Sequence, residues 1–174
     1  MRKIIVLIGG VAVLALVNFG IYQKEQLLSQ GRVVLLDLAP VDPRSLMQGD
    51  YMALRFRIAN DAQPSMQRSD SPVRRGFFGT RDLATADGRI VAALDARSIA
   101  TFRRLDDRSA PAADEILLRY RVREGMVKFA TNAFFFQEGT GKRFERARYG
   151  EFRVAPDGEV LLTGLRGVEL DLLK

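Results

Sequence analysis

Gly49-Asp50-Tyr51-Met52-Ala53-Leu54-Arg55-Phe56 is the stretch whose reading decides the fold. From Tyr51 to Ile58 the residues alternate. Tyr51, Ala53, Arg55 and Arg57 fall on one face, and Met52, Leu54, Phe56 and Ile58 fall on the other. A period of two with one apolar face predicts a half-buried strand. Gly49 suits a turn that needs φ > 0 or close backbone approach. Asp50 can accept hydrogen bonds from the amides of that turn and so fix how the strand begins. Tyr51 presents an amphipathic ring on the exposed face, while Leu54 and Phe56 face the core. Two roles stay open for Gly49, Asp50, Tyr51, Leu54 and Phe56. One is structural; in the other, Asp50 and Tyr51 line a groove for a partner or ligand.

Upstream of this stretch, Arg2 and Lys3 precede a 19-residue uncharged run, Ile4 to Tyr22, in which Asn18 is the one strongly polar member. That length matches the roughly 20 residues needed to cross a hydrocarbon core. A cleaved signal peptide has a shorter apolar region and a small-x-small site, and no convincing site follows Asn18. The reading is therefore an uncleaved signal anchor. Basic residues ahead of the span and only Lys24 just after it put the N-terminus in the cytoplasm and the following domain outside. Gln23 to Gln30 continues the helix until Gly31 ends it. The chain thus divides into an anchor with its helical extension, 1–30, and an extracytoplasmic domain, 31–174.

Downstream the pattern is β-like. Strands are expected at Arg32–Leu38, Arg89–Leu94, Ala100–Leu105, Ile116–Arg123, Met126–Phe129, Ala133–Phe136, Gly150–Val154 and Glu159–Leu165. Glu124-Gly125 and Ala155-Pro156-Asp157-Gly158 supply hairpin turns. Ser45 to Gln48 reads as one helical turn, Asn60 to Thr80 as a long polar loop, and Lys142 to Arg148 as two turns of helix. The expected fold is mainly β: an N-terminal transmembrane helix, then an antiparallel β-rich domain of six to nine strands, a sandwich or open barrel, with one short helix.

Composition removes several classes of chemistry. The chain has no Cys, no His and no Trp. That excludes disulfides, thiolate nucleophiles, His- or Cys-ligated zinc and His-based triads or dyads. The net charge of +6 comes from basic residues, mostly Arg, scattered among acids, with no block that reads as a nucleic-acid stripe. Membrane phospholipid is a more natural neighbour than DNA, and no cofactor is expected.

Two stretches resemble a known family. Asp42-Pro43-Arg44-Ser45-Leu46-Met47-Gln48 running into the octet looks like the signature of the GDYXXLXY family of bacterial membrane-anchored proteins. Phe136 to Gly141, with Phe144 to Val154, resembles that family's second block. Phe56 stands where the family name has Tyr. The resemblance implies an uncharacterised family with one N-terminal membrane helix and an outward-facing domain. Its members are often encoded beside multi-pass membrane proteins, which implies such a partner; no activity or cofactor goes with the name.

Type I signal peptidases carry a similar Gly-Asp segment beside a nucleophilic Ser that a later Lys activates. Here Ala39 to Arg44 has no Ser, and Lys128, Lys142 and Lys174 do not follow the motif at the usual distance. Asp106-Asp107 and Asp114-Glu115 read as solvated loop acids, and a carboxylate-dependent hydrolase is a distant alternative. Arg119, Arg121 and Arg123 on one strand face, and Phe77-Phe78 between Gly76 and Gly79, are candidate interaction elements. The arginines could instead be balanced by cross-strand acids, and the phenylalanines tucked against the sheet. The expectation is a single-pass, non-catalytic accessory protein of the bacterial inner membrane that binds a multi-pass partner. The alternative is a tethered domain that binds a small ligand or polysaccharide.

Overall fold

The computed structural model describes residues 2–39, 47–48, 51–68, 73–75, 81–83, 85–131 and 133–173. Gly49, Asp50, Phe77 and Phe78 lie outside them, as do Asp42-Pro43-Arg44. A 29-residue helix, α1 (Arg2–Gln30), opens the chain. Its stretch Leu7–Gln30 is long and apolar enough to cross a membrane. Ile4, Leu7, Val11, Leu14, Leu16 and Phe19 are each more than half exposed, uncovered by any other of the described residues. Asn18 donates to the Leu14 carbonyl one turn back (2.8 Å), which keeps its amide engaged within the helix.

The last turns of α1 behave differently. Leu27 is buried, and the Gly31 amide closes the helix on the Leu27 carbonyl at 3.0 Å. The first strand, β1 (Arg32–Asp37), starts at the next residue. A Cβ at position 31 would lie 2.4 Å from the Leu27 carbonyl oxygen and 3.0 Å from the Arg153 Cβ. Gly31 is not among the glycines with positive φ. Close approach, rather than a left-handed cap, makes glycine necessary there.

Beyond α1 the strands are β2 (Met47–Gln48), β3 (Tyr51–Ala53), β4 (Val73–Arg75), β5 (Arg81–Leu83), β6 (Ala86–Leu94), β7 (Ile99–Leu105) and β8 (Glu115–Arg123). They continue with β9 (Met126–Lys128), β10 (Ala133–Phe135), β11 (Tyr149–Val154), β12 (Val160–Arg166) and β13 (Leu172–Leu173). Eight form one sheet in the order β13-β12-β11-β1-β7-β6-β8-β9. Its neighbours are antiparallel except β1 and β7, which run parallel at Leu35–Ile99 and Leu36–Ala100. The sheet curls back on itself in the manner of an open barrel. The Arg119 amide of β8 donates to the Gly158 carbonyl in the β11–β12 turn at 2.7 Å, across strands far apart in the order. Smaller sheets, β10-β3-β2 and β4-β5, complete the β structure.

Several expectations are corrected. The strand predicted over Tyr51 to Ile58 ends at Ala53, and a second helix, α2 (Arg57–Arg68), follows it. Ile58, Ala59, Ala62 and Met66 form one buried helical stripe over the inner face of the sheet. The polar residues between them, with Pro64 inside the helix, had read as the start of a loop. The rest of that expected loop contains β4, which pairs antiparallel with β5 just beyond it. Met47-Gln48 is strand, not helical turn. β6 begins at Ala86, ahead of the strand expected from Arg89, so Asp87 and Gly88 lie within it. The helix expected at Lys142 to Arg148 is a three-residue 3-10 turn, Gly141–Arg143.

The core joins both ends of the domain. Phe56 is buried with edge-on rings from Phe152 (5.3 Å) and Phe129 (6.5 Å). Gly150 lets Phe56 approach, since a Cβ there would lie 2.9 Å from its ring. Phe56→Ala is therefore expected to cost about 3–5 kcal/mol in chemical denaturation of the detergent-solubilised chain. Gly31→Ala should cost about 1–3 kcal/mol through overpacking at the helix–strand junction. A change below a few tenths for either would show that the site relaxes freely.

Candidate functional site

A groove of about 780 Å³ runs between β8 and β12, bounded at one end by α1. Its floor follows from strand register. Gly88 of β6 faces Tyr120 of β8. A Cβ at Gly88 would meet the Tyr120 hydroxyl at 2.6 Å, so only glycine lets that ring lie across β6. Leu118, Tyr120 and Val122 share the core-facing side of β8, with Tyr120 half-buried. Val160, Leu161 and Leu162 of β12 supply an apolar wall, and Ala130 and Thr131 close the side beyond β9.

The rim is basic. Lys24, Arg89, Arg119, Arg121 and Lys128 line the groove, against Asp87 and Glu159. Most of these charges are paired. Arg119 meets Asp157 at 2.7 Å, Arg89 meets Asp106 at 2.7 Å, and Lys128 meets Glu124 at 3.0 Å. Lys24 donates to Glu159, which ties α1 to the start of β12. Asp87 pairs with Arg123 at 2.8 Å. Arg121 differs from its neighbours. It donates one bond to the Ala130 carbonyl (2.7 Å) and has no acidic partner among the described residues.

Of the predicted elements, Arg119 and Arg121 come to this groove, while Arg123 is held at its edge by Asp87. The family stretch lies elsewhere. Tyr51 pairs with Phe135 of β10 at 5.9 Å between rings, and Leu54 and Phe56 are buried. A smaller cleft of about 360 Å³ borders Ala53, Arg55, Phe56, Asn60, Gln63 and Met126. Tyr120, Lys24 and the Leu161–Leu162 wall were missed from the sequence. The partnership of Tyr120 with Gly88 depends on cross-strand register.

The loop acids are tied down by arginines and turn amides. Arg104 joins Asp107 at 2.6 Å and Glu115 at 3.5 Å; Arg103 contacts Asp114 and Glu115, each at 3.5 Å. Hydrogen bonds from the Ser109 hydroxyl and amide, helped by Arg104, hold the Asp107 carboxyl down at about 2. Asp37 at the end of β1 is clamped by Arg57 and Arg148, each at 3.2 Å. Its Oδ1 makes the Arg148 contact without an aligned hydrogen bond. That clamp ties the start of α2 and the approach to β11 onto the same strand.

Burial pushes the Tyr120 hydroxyl above its ordinary value of 10.0. The folded state then holds this proton more tightly than the unfolded chain does. The resulting stability is full below pH 10 and is lost as pH rises through the folded value. Ultraviolet titration of tyrosinate should show one late-ionising component that disappears in Tyr120→Phe. Identical titration curves for the two proteins would refute the burial argument.

No curated protein and no solved structure matches this chain. The two sequence blocks meet in the core, where Phe56 packs edge-on against Phe152. The family model described as GDYXXLXY protein matches residues 13–165, from α1 almost to the end of β12, and the chain belongs to that family.

Proposed function

We propose that this protein is a single-pass, membrane-anchored accessory module of the bacterial envelope that acts by binding a multi-pass membrane protein rather than by catalysis. The observation that carries this reading is the division of α1. Its apolar turns are bare on every side, while its polar end is packed and ion-paired onto β11 and β12. A bare apolar helix about 28 Å long suits a bilayer. A helix end fused to the sheet through Leu27, Gly31 and the Arg153 bond to the Gly31 carbonyl (3.1 Å) holds the domain at a set height and orientation. Such an arrangement favours contact with a neighbour embedded in the same membrane. Basic residues before the span favour a cytoplasmic N-terminus and an outward domain.

A second reading, a tethered ligand-binding domain, has one observation in its favour: the 780 Å³ groove with Arg119 and Arg121 in its wall. Its size falls within the range of ligand sites, roughly 300–1,000 Å³.

Alkaline carbonate washing of membranes should leave the chain in the pellet, and protease added outside should reach the domain. Affinity purification in mild detergent should then bring down a multi-pass membrane protein. Release by carbonate would overturn the anchor, and recovery of the chain alone would overturn the accessory role.

A further inference from the structure

We infer that the groove between β8 and β12 binds the phosphate headgroup of an anionic phospholipid from the bilayer that α1 crosses. The inference rests on reading α1 as a membrane anchor. Lys24 lines the groove two residues after Tyr22, where the apolar run ends. At the helical rise that is about 3 Å along the axis. The headgroup layer is about 5–7 Å deep on each side of the hydrocarbon. The groove therefore meets the membrane at headgroup depth, and a lipid reaches it without leaving the bilayer.

The donors suit a phosphodiester. Arg121 is exposed and spends one bond on the Ala130 carbonyl; Asp87, opposite it in register, turns to Arg123, so Arg121 makes no ion pair among the described residues. A guanidinium fork matches two phosphate oxygens at once, which an ammonium cannot do. Lys128 stands opposite Arg121 in strand register and lines the same groove, a second cation on the same face. The two acids facing the groove, Asp87 and Glu159, are occupied by Arg123 and Lys24. Leu161 and Leu162 offer an apolar wall to the glycerol and first acyl carbons, a surface that a free phosphate would leave empty.

Native mass spectrometry of the full chain in detergent, with phosphatidylglycerol or phosphatidylcholine added, tests this directly. The wild type should retain phosphatidylglycerol about tenfold more strongly than phosphatidylcholine. Arg121→Gln should lose about tenfold in that retention, the scale of one charge-assisted bidentate contact. Arg121→Lys should recover only part of it. Lys128→Gln reads the same site independently, with a smaller loss, should the Arg121 variants shift the thermal midpoint. Equal retention of both lipids, or unchanged retention in Arg121→Gln and Lys128→Gln, would mean an ordinary annular lipid and overturn the site. Displacement of bound lipid by millimolar glycerol 3-phosphate would assign the groove to a soluble phosphoester and overturn the lipid source. If carbonate strips the chain from membranes, the anchor fails and this inference fails with it. If the chain stays embedded but shows no lipid preference, only the headgroup site fails.

Discussion

The junction at Gly31 is the constraint on which the rest of the structure depends. A helix and a strand meet there with no linker, because the residue between them has no Cβ to strike the Leu27 carbonyl or the Arg153 side chain. A flexible connection would leave the domain free to tumble above any membrane. Instead the helix axis is carried into β1, which lies between β11 and β7 within the eight-stranded sheet. The far end of β1 carries Asp37, clamped by Arg57 and Arg148. One six-residue strand thus links α1, the start of α2 and the approach to β11. Displacing it would disturb all three together.

The stretch that names the family serves this framework more than it serves a site. Its buried residues, Met52, Leu54 and Phe56, sit in one core with Phe129, Phe144 and Phe152. Phe134 and Phe136 pack on Phe144, at 5.1 and 5.3 Å, so the second block is knitted to the same core by aromatic contacts. Phe in place of the family's Tyr is intelligible at position 56. The ring is buried among other rings, and a hydroxyl there would need a hydrogen-bond partner to offset its burial.

The β character of the domain and most of its strands were legible because their alternation is regular and their turns carry Gly, Asp and Pro. Tyr120 and Val122 alternating with Arg119, Arg121 and Arg123 could be read directly from the residues. What failed has a common physical cause. The stripe of α2 uses two alanines at Ala59 and Ala62, which add little hydrophobic signal, and its other face is polar with Pro64 inside it. Conversely, Lys142 to Arg148 has helix-compatible residues, yet burying Phe144 between Phe134 and Phe136 holds the backbone to a single tight turn. Tertiary burial overrode local propensity in both places. The groove was legible only as a row of arginines, because its shape comes from Gly88 opposite Tyr120 and from α1 reaching Glu159. Register and a long-range ion pair leave no local trace in a sequence.

Charge pairing separates the three arginines more sharply than their spacing does. On an exposed strand each would gain similarly from solvent, and surface ion pairs contribute at most about 1 kcal/mol. The pairs at Arg119 and Arg123 therefore matter less for stability than for what they neutralise. Both acid partners lie beside the groove, and each cancels the guanidinium nearest to it. Arg121 keeps its charge between them, in a groove with an apolar wall. Partial exclusion of water raises the strength of any charge-assisted bond formed there relative to one on open surface. A single unpaired guanidinium at the depth where α1 leaves its apolar run is thus a selective feature. It favours an anion delivered along the membrane over the many anions in solution, because only the former also fills the wall made by Leu161 and Leu162.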